Sequence, residues 1–394
     1  MMSGSIFSPD RTFPGEHRII EGKKIPVSSA ILSTEASPEQ RALGETFAKE
    51  ITAGFYADFE KPEDKMVHVS TFCVLDDTVY MTYYANTQAA SEDPNHQTAR
   101  IAYCPLRHPE QMRVLDVQTV GDTCSGLPVV MVYDTILAKL DDSTLMILWT
   151  AKVGDRYYRL YRPFSVKDKT LGEVGVNRFR VGDVTNDFST SGIQNALQLN
   201  GLGYKTMYSD IGIMQKFTTR TENGETWYYT GTYSGDFNAI IKSRDFITWE
   251  YVAQPDFPNE SKWENAVYVI GDRCFYFVRQ HDHTGYGFLT VYDLEKKTWE
   301  TPVLIGDSQS RGDFIRYNGK LYLFHAPIDR EHIGIVRVDT ENIAHSRILL
   351  QAHMDTSCFY PFVQTFADGR YAMSYTIARQ HIRLGAFDPE HFFN

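Results

Sequence analysis

Residues 265–280 read NAVYVI-GD-RCFYFVRQ, and residues 312–327 read GDFIRY-NG-KLYLFHAP. In both, an apolar run reaches a two-residue turn and returns as a second run rich in Tyr and Phe. Asn-Gly, Asp-Gly and Gly-Asp between alternating runs predict tight hairpins, because the primed turns need φ > 0. The same pattern recurs at 67–86 (VHVSTFCVL-DD-TVYMTYYAN), 129–151 (VVMVYDTILAKL-DD-STLMILWTA), 213–233 (IMQKFTTRTE-NG-ETWYYTGTY) and 359–376 (FYPFVQTFA-DG-RYAMSYT). The turns begin at Asp76, Asp141, Asn223, Gly271, Asn318 and Asp368, and the last four are spaced 48, 47 and 50 residues apart. One or two further strands follow each hairpin, such as NAIIKSRDFITWEYV from Asn238 and HIGIVRVDTENIAHSRILL from His332. Four strands repeating about every 50 residues describe a β-propeller blade.

The expected fold is therefore all-β: a seven-bladed β-propeller, six blades clear by repeat and a seventh inferred. The seventh is placed in the 82-residue gap between Asp141 and Asn223, around SGIQNALQLNG from Ser191. The final unit stops after a third strand, HIRLGAF from His381, so KKIPVSSAIL from Lys23 is expected to supply its fourth and close the ring. Residues 1–394 then form a single propeller domain with one helical insertion at about 37–55. There Ser37 caps, Pro38 fits the first turn, and Leu43, Phe47 and Ile51 share a face.

Length and composition agree. A chain of 394 residues exceeds what one ordinary core fills, so it must divide or repeat. The aromatic share is 13%, with 24 Tyr, 24 Phe and 5 Trp, which suits strands and sugar-facing surfaces. With 39 basic against 50 acidic residues and no basic tract, the chain is a poor binder of nucleic acid or anionic membranes. No apolar run is long enough for a membrane helix and the N-terminus lacks a signal-peptide core, which reads as cytoplasmic for a complete chain, or as extracellular or periplasmic if a signal was removed. Cys73, Cys104, Cys124, Cys274 and Cys358 form no CxxC pair, so neither a disulfide framework nor a zinc knuckle is expected.

Propellers bind ligands where the innermost strands begin or end, so polar residues at strand starts and in loops after second strands are the ones to weigh. Shifting His68 by the turn-to-turn distance aligns it with Tyr133, Trp263 and Tyr360. Such a set can form a sugar-binding floor or simply pack blade on blade. The loop after the second strand of the first repeat ends in His96, Gln97 and Arg100, and the second repeat carries Arg156 and Arg159. RQHDHTGYG, with His281, Asp282 and His283, leaves room for a structural divalent metal (Ca or Zn), although no cofactor is required. KSRDFITW, with Ser243, Asp245 and Trp249, reads as a structural brace. No Walker, GxGxxG, HExxH or GxSxG motif occurs.

The run HVSTFCVLDDTVYMTYYANTQAASEDPNHQTARIAYCPL resembles the first blade of sialidase-related propeller carbohydrate enzymes: ulvan lyases, rhamnose–glucuronate lyases and related α-L-rhamnosidases. The general layout matches over nearly the whole chain, the specific part over the first two blades. The resemblance implies a lyase that cleaves a glycosidic bond to O4 of a uronic acid by β-elimination, on a rhamnose–glucuronate type of linkage. It implies His68, His96, Tyr133 and one of Arg156 or Arg159 as the catalytic set, with Arg159 placed in it and Arg156 beside the substrate. Gln97, Arg100, Trp263, Arg311 and Tyr360 complete the expected substrate-binding group. The residue types suit the chemistry, since Arg neutralises the uronate carboxylate and Tyr or His moves the C5 proton. Two other classes compete: hydrolysis of the same linkage, and a non-catalytic sugar-binding propeller. The expected partner is an anionic oligosaccharide or polysaccharide, and the expected state a monomer.

Overall fold

A computed structural model describes residues 5–22, 31–32, 35–208, 210–257, 264–279, 286–306, 310–366 and 369–393. Its strands form six sheets arranged as the blades of a β-propeller, one for each hairpin read in the sequence. The innermost strands of blades 1, 2, 4, 5 and 6 are Met66–Leu75, Leu127–Lys139, Asn265–Ile270, Asp313–Tyr317 and Cys358–Thr365. Blade 3 splits its innermost strand into Gly212–Ile213 and Thr218–Glu222, both paired with Glu225–Ser234. The turns have the expected chemistry: Asn223 and Asn318 adopt φ of 51° and 46°, followed by Gly224 and Gly319 at 81° and 80°.

The inferred seventh blade is not found among the described residues. Its segment instead forms a hairpin, Arg178–Val181 with Val184–Asp187, and a helix, Thr190–Leu199. Arg178–Val181 pairs in parallel with Thr248–Ala253 and so extends the outer edge of blade 3. The helix, capped by Ser189, buries Ile193, Ala196 and Leu197 against that hairpin. Its apolar face looked like a strand because the run is short.

Ring closure also differs from expectation. The fourth strand of blade 6 is Phe55–Asp58, antiparallel to His381–Phe387. Of the segment expected there, residues 23–30 lie outside the described residues, and Ile31–Leu32 runs parallel to Val303–Gly306 at the outer edge of blade 4. The first helix matches its reading. It spans Pro38–Ala53, and Ser37 and Gln40 form a reciprocal capping box. Phe47 and Ile51 are fully buried among side chains of blades 5 and 6.

Apolar clusters lie between neighbouring blades, and buried polar braces fix their spacing. Gln97 Nε2 of blade 1 donates to Val132 O of blade 2 at 2.7 Å, and Ser70 Oγ of blade 1 donates to Ser374 Oγ of blade 6 at 3.0 Å. The KSRDFITW segment is the brace it was read to be: Asp245 Oδ1 accepts from the backbone of Ile247 and Thr248, and Trp249 is fully buried. All five cysteines are free thiols. Among the described residues no helix is long and apolar enough to cross a membrane.

Candidate active site

The inner strands of three adjacent blades share one irregularity, near the start in blades 1 and 6 and midway along in blade 2. Pairing slips between His68 and Thr71 in blade 1, between Tyr133 and Ile136 in blade 2, and between Phe359 and Phe362 in blade 6. At each slip one residue takes the left-handed conformation: Val69, Asp134 and Tyr360, with φ of 54°, 54° and 53°. A bulge of this kind re-aims a side chain, and for β-branched or bulky residues it is strained. All three residues line a cavity of about 330 Å³ at this mouth of the channel. The bulges also correct the sequence alignment. The structural counterpart of His68 in blade 6 is Phe359, and Tyr360 falls one place later, beside Val69 and Asp134.

Around Tyr360 the cavity is heavily charged. Arg279, Arg311, Arg330 and Arg379 line it, as do Glu92, Asp134, Asp210 and Glu264. Glu264, just before the inner strand of blade 4, is buried and ion-paired with Arg279, and Arg311 Nη2 lies 3.4 Å from its Oε1. Burial opposes its charge, but the two guanidiniums, aided by the Tyr360 hydroxyl, prevail, holding its carboxyl down at about 2. Arg311 also donates to Asp134 Oδ1 at 2.8 Å, and its guanidinium lies 4.8 Å from the centre of the Tyr360 ring. That ring also stacks on His68, centroids 4.5 Å apart and planes at 21°. Burial pushes the Tyr360 hydroxyl above the usual phenol range, and Glu264 adds to the rise. Arg330 and Arg379 flank the cavity, their guanidiniums 5.0 and 5.2 Å from the ring of Phe359. Glu92, on the loop after the second strand of blade 1, accepts from Tyr84 Oη at 2.5 Å and pairs with Arg379 at 3.1 Å.

The expected residues divide sharply. Tyr133, Arg311 and Tyr360 line the cavity, and His68 lies directly behind Tyr360. His68 is fully buried with Nδ1 3.2 Å from Thr376 Oγ1, and burial drives its pKa well below the ordinary histidine value. Arg159 is fully buried outside the lining. It donates to Asp134 O at 3.0 Å and Thr150 Oγ1 at 2.8 Å, so it supports the bulge at Asp134. His96 does not line the cavity: its ring is exposed and bonded to Asp93 at 2.8 Å. Arg156 is exposed and pairs with Asp10 at 3.2 Å. Gln97 braces two blades, and the buried Arg100 pairs with Asp64 and Asp116. Trp263 and the His281–Asp282–His283 segment lie outside the described residues.

Glu264, Arg279, Arg330, Arg379, Glu92 and Asp210 carry most of the site's charge; of these only Arg279 was singled out in the sequence, as part of the RQHDHTGYG cluster weighed for a metal. The signal was present. Glu264 immediately precedes an inner strand, and Arg279 and Arg379 closely follow the second strands Arg273–Val278 and Tyr371–Ile377. Asp58, Glu60 and His381 are the one group among the described residues with metal-ligand proximity. Their atoms are already engaged, Asp58 by both arms of Arg383 at 2.8 Å and Glu60 by His381 at 2.6 Å.

No family model and no curated protein sequence matches the chain. Its fold is similar to that of sialidase-type β-propellers. The NanB sialidase of Streptococcus pneumoniae matches with a TM-score of 0.55 at 9% identity, over 86% of this chain and 71% of that one. The Hadza microbial sialidase Hz136 gives 0.58 at 11% identity, over 84% and 67%. The leech intramolecular trans-sialidase gives 0.54 at 10% identity, over 84% and 69%. At such identities the likeness is one of fold.

Proposed function

We propose that this propeller is a glycoside hydrolase acting on a sugar that carries a carboxylate close to its anomeric carbon. The observation that carries the reading is Tyr360, held at a strained bulge where its phenol feels the charge of the buried Glu264 and lies beside Arg311. A carboxylate nucleophile would be repelled by a carboxylate next to the carbon under attack, whereas a neutral phenol is not. Tyrosine is an established alternative to the usual carboxylate pair in glycosidases.

In this reading Tyr360 Oη attacks the anomeric carbon while its proton passes to Glu264. Glu264 is ionised at all working pH and so is always free to accept, but its low pKa makes it a weak base. Proton transfer must therefore accompany attack rather than precede it, with Arg279 and Arg311 stabilising the charge that develops on the phenol oxygen. Arg330 and Arg379 are placed to take the sugar carboxylate. Glu92, at the cavity, one-third exposed and ion-paired with Arg379, is the base that deprotonates the incoming water, while the departing oxygen takes its proton from solvent. The names of the similar structures accord with an acidic nonulosonic sugar as substrate.

Elimination on a uronate linkage is the second reading, favoured by the buried, unpartnered hydroxyl of Tyr133 in the cavity wall. Burial and the neighbouring Asp210 push that phenol well up, which suits an acid better than a base. Fluorogenic sialosides and glucuronide oligosaccharides separate the two. Hydrolysis releases sugar without conjugated ultraviolet absorbance, and Tyr360→Phe should lower kcat by about a thousandfold with an unchanged melting temperature. Absorbing, unsaturated product that survives Tyr360→Phe and disappears in Tyr133→Phe would replace hydrolysis by elimination. Wild-type turnover of sialoside in Tyr360→Phe would remove the proposed nucleophile.

A further inference from the structure

The channel has a second mouth. The cavity above is built from the starts of the inner strands. Their other ends enclose a larger cavity of about 890 Å³, to which all six blades contribute. The two cavities share no lining residue. In the wall of the larger one Lys216 Nζ of blade 3 meets Asp313 Oδ2 of blade 5 at 3.1 Å, and Asp313 accepts from Val363 N of blade 6 at 2.7 Å.

Three features of this second cavity point to a ligand. First, its wall is cationic in a chain of net charge −11: Lys139, Lys216 and Arg316 line it, and no Asp or Glu does among the described residues. Lys216 is engaged by Asp313 and Lys139 by Asp142 at 2.7 Å, while the exposed Arg316 has a backbone partner, Gly319 O at 3.4 Å. Second, Gln215 is 2% exposed and lines the cavity, and its Oε1 has no hydrogen-bond partner although Nε2 donates to Pro361 O at 2.9 Å. An acceptor buried in this state costs free energy unless something donates to it. Third, Phe217, Tyr228 and Tyr268 line the same space and are only partly buried. Aromatic faces pack well against the CH faces of a ring.

We infer that the second mouth is a binding site for an acidic saccharide unit, separate from the catalytic mouth. Its carboxylate meets Arg316, a ring hydroxyl donates to Gln215 Oε1, and its apolar face lies against the aromatic side chains of blades 3 and 4. A fatty acid would satisfy the cations but leave Gln215 unpaired. A neutral sugar would satisfy Gln215 but gain nothing from the cationic wall. The assignment is independent of the chemistry proposed for Tyr360.

Calorimetric titration of the full chain with D-glucuronate tests it, with D-glucose as the neutral control. The background is the double variant Arg330→Ala, Arg379→Ala, which strips the first mouth of two cations. Saturable glucuronate binding in the millimolar range is expected to persist there. Adding Arg316→Ser should weaken it roughly tenfold, about 1.4 kcal/mol, without lowering the melting temperature, and adding Tyr228→Ala should weaken it to a similar extent. Arg316→Ser in the otherwise wild-type chain should leave turnover unchanged. Absence of saturable binding in the double variant overturns the inference, as does binding indifferent to both added substitutions. Glucose binding as tightly as glucuronate overturns the acidic class. Loss of turnover in Tyr360→Phe with this binding intact would bear on the first mouth alone.

Discussion

His325 shows how one buried side chain shapes stability. It ends the second strand of blade 5, is 3% exposed, and its Nδ1 has no partner. Burial without a compensating charge pulls its pKa down to about 4. The unfolded chain takes up that proton near pH 6.5, so it binds more protons than the folded chain throughout the interval between. This residue therefore leaves stability intact above about pH 6.5 and erodes it as pH falls towards 4, by at most about 3 kcal/mol. Urea melts from pH 7 to 4 should show the loss, and His325→Gln should flatten it. An unchanged slope in that variant would assign the loss to other groups. The site illustrates the same dependence on environment. Tyr133, Arg311 and Tyr360 were legible because they lie on or just before the innermost strands, whereas a bulge decides which of two successive residues turns inward. Sequence alignment therefore equated Tyr360 with His68 when the two actually stack.

At the scale of elements, local signals were reliable where they were strong. The Ser37 capping box and the spacing of Phe47 and Ile51 placed the first helix within two residues of its observed end. What they did not show is how closely that helix lies on blade 5. A Cβ on Gly44 would come 1.9 Å from Gln351 O, a backbone atom of the outer strand Arg347–His353. Alanine gains about 1 kcal/mol over glycine in helix propensity, but backbone cannot yield cheaply to such an overlap. Gly44→Ala is therefore expected to lower the melting temperature by several degrees, and a rise in thermal melts would show that the helix can shift on the blade. The hairpin and helix at 178–199 failed the other way. Short apolar runs do not declare their period, and pairing with Thr248–Ala253 gives the segment its place.

At the scale of the whole molecule, the ring holds where the first and last repeats meet. Phe59, directly after the closing strand, is fully buried among Val67 and Phe72 of blade 1 and Phe362 and Leu384 of blade 6. Truncating it should cost about 3–5 kcal/mol. Denaturant unfolding of Phe59→Ala should show a lower midpoint, with blades at both ends of the chain destabilised together in hydrogen exchange. Loss of protection confined to one blade would mean that the closure is not shared. The sequence by itself determined the number of hairpins, their turns and hence the propeller, because alternation and turn chemistry are local properties of the chain. Tertiary structure alone decided that six sheets use these residues, that Phe55–Asp58 closes the ring, and that Glu264, the arginines and Tyr360 converge from blades 4, 5 and 6. Those outcomes depend on which edges pair and where bulges turn side chains, and both are settled only when distant segments pack together.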